Sequence, residues 1–146
     1  MRTKWGLTVD CADPAKLTEF WALALEYQKP GVPAGFASWV EWFDHYEVPE
    51  DERDEGGYLI DPDGVGPTLS FLKVPEGKVV KNRLHIDVKV GGGRDDVPWE
   101  VRWARVLEAK EQLVAAGATV VRQYDFDGRG DHFWMEDPEG NEFCLV

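Results

Sequence analysis

Cysteine is scarce in this chain, with only Cys11 and Cys144 among 146 residues. Two thiols cannot build a disulfide framework, so the fold must rest on a packed core. Basic residues are also few, 16 Lys and Arg against 28 Asp and Glu, for a formal net charge of −12. That field repels phosphate backbones and excludes nucleic-acid binding driven by counterion release. Long apolar runs are missing too. The uncharged stretch from Pro30 to Val40 is too short and too rich in Pro and Gly to span a bilayer. The opening residues carry no apolar segment followed by small-residue cleavage chemistry, so no secretion signal is expected and a cytoplasmic setting is. No phosphate loop or dinucleotide fingerprint is present, because Gly91-Gly92-Gly93 lacks the strand-turn-helix spacing such a site needs.

What remains is an apolar fraction of 43%, including seven Trp and seven Phe. This composition belongs to a globular chain, and the length predicts one domain over 1–146. At this size, folding hides roughly two-thirds of the extended surface, enough for a core without staples.

Local patterns set the order of elements. Trp5 to Cys11 reads as a strand. Asp13-Pro14 then starts a helix, since the carboxylate can accept an orphan N–H and Pro fits the first helical position. Leu17, Phe20, Trp21, Ala24 and Leu25 form its apolar stripe, and Pro30-Gly31 prevents its continuation. Strands are predicted at Phe36 to Trp42, Tyr58 to Ile60 and Thr68 to Val74, with His45 to Gly57 as a polar loop. Asp61-Pro62-Asp63-Gly64 is a turn by its chemistry. The order then repeats. Arg83 to Val90 reads as a strand with Leu84, Ile86 and Val88 on one face, followed by a helix over about Trp99 to Ala116. Strands at Thr119 to Tyr124 and His132 to Glu136 follow, then the turn Asp137-Pro138-Glu139-Gly140 and a closing strand, Glu142 to Val146.

The two turns and the two opening strands are separated by nearly the same number of residues, which points to an internal duplication. The modules would be about 1–78 and 79–146, each too small to bury its own sheet, so that pairing them builds one α+β domain with a shared cleft.

Three segments carry a family resemblance: Val9-Asp10-Cys11-Ala12-Asp13-Pro14 running into Phe20-Trp21, Asn82 to Asp87, and Asp137-Pro138-Glu139-Gly140-Asn141-Glu142-Phe143. Together they resemble the vicinal oxygen chelate superfamily, in its glyoxalase, bleomycin-resistance and dihydroxybiphenyl dioxygenase branch. The resemblance covers essentially the whole chain. It implies two paired βαβββ modules whose curled sheets enclose a pocket, often in a homodimer. It also implies, in the metal-using members, a divalent metal with ligands on the first and fourth strand of each half. Carried over residue by residue, the second half offers His85 and, where such relatives have Glu, Cys144, with Glu142 two residues away on the same face. The first half offers Gly6, which has no side chain, and Thr68 or Leu72, neither a good ligand. The metal candidates are therefore His85, Glu142 and Cys144, an incomplete set beside what a metal centre needs.

The pocket candidates are Asp10, Trp39, Trp42, His85, Asp87 and Trp134. Aromatic walls beside a few carboxylates suit a planar or cationic small molecule through stacking and cation–π attraction. Two functions compete, beside a third in which the chain is a non-metal enzyme using Asp10 or His85 as acid or base. One is passive binding of a small aromatic or cationic compound without a complete metal site. The other is a metal-dependent lyase, isomerase or dioxygenase using His85 as a ligand. The fold by itself does not choose between them.

Overall fold

A computed structural model describes residues 3–146, and these fold as two compact units. Of the described residues, the first comprises 3–22 with Glu26–Gly77, and the second Leu23–Leu25 with Lys78–Val146.

In the first unit, β1 (Gly6–Cys11) leads into α1 (Pro14–Leu25), β2 (Gly56–Leu59) and β3 (Thr68–Lys73), with sheet order β1-β3-β2. β1 runs parallel to β3, and β2 antiparallel to it. The helix starts where the sequence puts it: the Asp13 carboxylate accepts the Lys16 N–H at 3.0 Å, with Pro14 in the first turn. It ends earlier than the Pro30-Gly31 breaker. Glu26 takes the left-handed conformation at φ 56° and caps it. Leu17, Phe20, Trp21 and Ala24 are buried, as their spacing predicts.

Strand periodicity divides the sheet. Cys11, Leu59, Leu69 and Phe71 are buried on one face, and Thr68, Ser70 and Leu72 alternate onto the other. Gly57 shares the buried face, where a Cβ would overlap Thr18 Oγ1 and lie 3.0 Å from the Pro14 carbonyl oxygen. Only glycine lets α1 approach that closely.

The predicted strand Phe36 to Trp42 is not a strand. Its second part belongs to α2 (Trp39–His45). The reason is local: Ser38 Oγ accepts the Glu41 N–H at 3.1 Å, and the Glu41 carboxylate accepts the Ala37 N–H at 2.6 Å. This reciprocal cap satisfies helix N–H groups that a strand would offer to a partner. Within the segment predicted as a polar loop, α2 continues to His45 and Glu50–Glu52 forms a single 3-10 turn.

The second unit contains β4 (Asp87–Val88), α3 (Trp99–Ala115), β5 (Thr119–Phe126), β6 (Arg129–Glu136) and β7 (Glu142–Leu145), in sheet order β4-β7-β6-β5. β4 is parallel to β7, and the remaining pairs are antiparallel. The predicted strand Arg83 to Val90 shrinks to two residues, with Leu84 at 81% exposure rather than on a buried face. Its partner β7 begins only at Glu142, just after the Asp137–Gly140 turn, so residues before 85 have no ladder to join.

The topologies of the two units correspond: β1 with β4, α1 with α3, β2 with β6 and β3 with β7. The counterpart of β5 is where they part. After α1 the chain begins the same antiparallel pairing, Gln28 N–H to Ile60 O at 3.0 Å and Ile60 N–H to Gln28 O at 2.9 Å. The next hydrogen-bonded pair would require an N–H from residue 30, which is Pro. The strand therefore stops at one bridge, and the following residues are free to form α2. Among the described residues, no helix is long and apolar enough to cross a membrane.

Candidate functional site

A cavity of about 820 Å³ lies within the first unit. One wall is the sheet, through Tyr58, Thr68, Ser70 and Leu72, and another is aromatic, through Trp39, Trp42 and Phe43. The aromatic wall exists because α2 formed where a fourth strand did not. No α2 residue is buried, and its rings pack on one another instead: Trp39 to Trp42 at 5.7 Å and Trp42 to Phe43 at 5.5 Å, both edge to face. Arg53 ties the helix down, donating to Asp44 at 2.6 Å and to the Val48 carbonyl at 3.1 Å, with its guanidinium 5.4 Å from the Phe43 ring. Glu52 and Glu55 also line the cavity. Lys29 and Arg53 line it as well, so two cations accompany these two carboxylates.

A second constellation lies in the second unit. His85, Asp87 and Cys144 place one ligand atom each within 4.8 Å of one another. Strand pairing produces it: Asp87 is in register with Cys144, and His85 precedes Asp87 by one period of the strand. His85 Nε2 stands 3.5 Å from Asp87 Oδ1. Burial pushes the Cys144 thiol up, the Asp87 carboxylate adds to this, and the Lys81 ammonium opposes it. Imidazole, carboxylate and sulfur form a donor set that fits a zinc-like ion with a position left open. A divalent ion would also supply the positive charge that stabilises the thiolate.

Glu142, a metal candidate by sequence, is not in that cluster. Its carboxylate accepts Lys81 Nζ at 2.6 Å, and Asp87 takes the place expected for it. The hydrogen bond from Lys81 holds the Glu142 carboxyl below the usual range against the opposing effect of burial.

The first-half equivalents follow from register. Asp87 pairs with Cys144 two residues after His85, and Thr8 pairs with Ser70 two residues after Gly6. Ser70, rather than Thr68 or Leu72, is thus the counterpart of Cys144. Gly6 and Ser70 supply no strong metal ligand.

The pocket residues read from sequence consequently separate. Trp39 and Trp42 line the first-unit cavity from a helix rather than from a strand. Asp10 is exposed beside Leu72 on β1 and is not among the lining residues. His85, Asp87 and Trp134 belong to the second unit, where Trp134 is in register with Cys144. Sequence reasoning missed Phe43, Tyr58 and Ser70 on the cavity wall. The Ser38-x-x-Glu41 cap was the available signal for the first of these. It also missed His132, whose Nδ1 lies 2.8 Å from Asp131 Oδ2 and whose ring stacks on Tyr124 at 4.8 Å.

Comparison with known proteins places this architecture. The model of the glyoxalase-like domain family matches residues 6–146. Among curated proteins, no sequence matches this chain. A glyoxalase/bleomycin resistance protein/dioxygenase family enzyme from Burkholderia phytofirmans is similar in fold, with a TM-score of 0.58 at 15% identity over 98% of this chain and 97% of that one. The fosfomycin resistance protein FosX from Mesorhizobium loti gives a TM-score of 0.61 at 13% identity, covering 99% and 90%. FosX from Listeria monocytogenes, in a mutant form complexed with Mn(II) and 1S,2S-dihydroxypropylphosphonic acid, gives 0.58 at 12%, covering 99% and 89%. At such identities the likeness is one of fold. With nearly its whole length matched by the family model, this chain belongs to the glyoxalase-like domain family of the vicinal oxygen chelate superfamily.

Proposed function

We propose that the protein binds a small planar or cationic molecule in the cavity of its first unit and leaves it chemically unchanged. The observation that carries this reading is the wall of Trp39, Trp42 and Phe43 facing the sheet residues Tyr58 and Ser70 across about 820 Å³. That volume is within the range of small-molecule sites, and such walls hold flat apolar bodies by stacking. The net charge of −12 favours a cation over an anion. Gly6 and Ser70 stand where the second unit has His85 and Cys144, so this reading needs no ion.

Titrating the protein with proflavine, a planar aromatic cation, tests this. Saturable quenching of tryptophan fluorescence without added metal is expected, and Trp42→Ala should weaken binding up to about tenfold through loss of stacking. Indifference of wild-type protein to planar cations and to their uncharged analogues alike would end the proposal.

A second reading has its own observation, the His85, Asp87 and Cys144 cluster. In it these residues would hold a divalent ion, whose chemistry would be that of a Lewis acid toward adjacent oxygens of a substrate, and the protein would be a lyase, isomerase or dioxygenase. His85 would bind through one ring nitrogen, Asp87 through a carboxylate oxygen and Cys144 through its sulfur. Cobalt(II) added to the protein would then show thiolate-to-metal absorption, lost in Cys144→Ser and weakened in His85→Ala. A flat spectrum in wild-type protein removes this reading.

A further inference from the structure

Lys81 belongs to no strand or helix, and its side chain is 66% exposed, yet its ammonium is held in a fixed place. Nζ lies 2.6 Å from Glu142 Oε2 and 4.5 Å from the centre of the Trp134 ring. Glu142 is the opposite case, with its side chain only 10% exposed. A nearly buried carboxylate beside an aromatic face is the chemistry by which proteins recognise ammonium groups: charge-assisted hydrogen bonding on one side and the ring quadrupole on the other. Both partners are fixed on strands. Trp134 lies on β6 and Glu142 on the neighbouring β7, two residues from the Cys144 that pairs with Trp134. The lysine reaches them from an irregular segment, so the strands supply the receptor and that segment its occupant.

We infer that Trp134 and Glu142 form a recognition site for a primary alkylammonium group, filled in the free protein by the chain's own Lys81. An incoming ligand with an ammonium on a short apolar stem replaces Lys81 like for like, leaving Glu142 paired throughout. Lys81 thus acts as an internal competitor that sets how strongly a ligand must bind. None of these residues lines the first-unit cavity, so this inference stands independently of the function proposed above.

The test uses n-butylammonium chloride as probe, with sodium chloride at equal ionic strength as control, and follows the Trp134 indole N–H resonance and the melting temperature. Lys81→Ala removes the competitor and leaves Glu142 with the Asn82 backbone hydrogen bond and the nearby Lys78 charge but without its ion-pair partner. It should melt lower than wild type, regain stability with n-butylammonium but not with sodium, and bind the probe at least about tenfold more tightly than wild type. Lys81→Met keeps the stem over the ring without the charge and should gain little. The double variant Lys81→Ala/Glu142→Gln should lose the added affinity, with Lys81→Ala/Trp134→Leu as the substitute if the first fails to fold. Equal binding by wild type and Lys81→Ala, or affinity retained in the double variant, would overturn the inference.

Discussion

Replacing Asp131 by Ala is expected to destabilise the protein by about 3–5 kcal/mol, the range for removing one partner of a buried ion pair. The Asp131 side chain is 3% exposed and that of Arg102 is 7%. Arg102 comes from α3, on a helix face otherwise buried through Val106 and Leu113. Its guanidinium donates to Asp131 Oδ1 at 3.0 Å and to the Asp131 carbonyl at 3.1 Å. Arg94 also donates to both carboxylate oxygens, and His132 Nδ1 is in reach of Oδ2. The partners are unequal. Arg94 is 58% exposed, so solvent screens its share, and Arg94→Ala should be mild beside Asp131→Ala. The large loss arises because Arg102 would remain buried with no counter-charge.

This contribution depends on pH with a definite sign. Burial raises the Asp131 carboxyl, but hydrogen bonds from His132, Arg94 and Arg102 together with the Arg94 charge outweigh it and hold the group below its ordinary value. A carboxyl lowered by folding stabilises the native state above its unfolded value, near 3.9, and the stabilisation is lost as pH falls through the folded value. Urea midpoints of wild type and Asp131→Ala should therefore differ fully at neutral pH and draw together well below pH ~4. A constant difference down to strong acid would place the effect in packing rather than charge.

The second large effect is expected at Phe71. It is 1% exposed on β3, the central strand of the three-stranded sheet, in register with Val9 on one side and Gly57 on the other. Gly57 has no side chain, so there is no neighbour on that strand to relax into the space a truncation would leave. Phe71→Ala should cost about 3–5 kcal/mol, near the upper end for a cavity that cannot collapse. Phe71→Leu, which keeps most of the volume, should stay below about 1.5 kcal/mol. Chemical denaturation measures both, and a loss under about 1 kcal/mol for Phe71→Ala would mean that the first unit's core is far looser than its burial indicates.

Much of this architecture was legible in the residues because the governing forces are local. Asp13-Pro14 starts a helix by satisfying an N–H, and Asp-Pro-x-Gly turns by backbone geometry, wherever they stand. Illegible parts were decided at longer range or by competition. Trp39 and Trp42 fit a strand by hydrophobicity, but the Ser38–Glu41 cap and the missing N–H of Pro30 favoured a helix. Leu84 fits an inward-facing strand residue, but its partner strand starts too late to pair with it. The metal candidates show the same division. His85 and Cys144 converge because register demands it, whereas Glu142 was assigned by alternation alone and is held instead by Lys81, a residue 61 positions away that no periodicity links to it. Ser70 could be identified as the counterpart of Cys144 only once the β1–β3 register was known.

The central claim is that recognition takes place in the first unit, on the aromatic wall formed by α2, where Gly6 and Ser70 stand in place of metal ligands and the sheet has three strands. Amide and indole NMR spectra of the wild-type protein, recorded during a proflavine titration without metal, test it most directly. The expected result is saturable shifts at the Trp39 and Trp42 indole N–H groups and at the Tyr58 and Ser70 amides. Shifts confined to residues around His85, Asp87 and Cys144, or appearing only after a divalent ion is added, would contradict it.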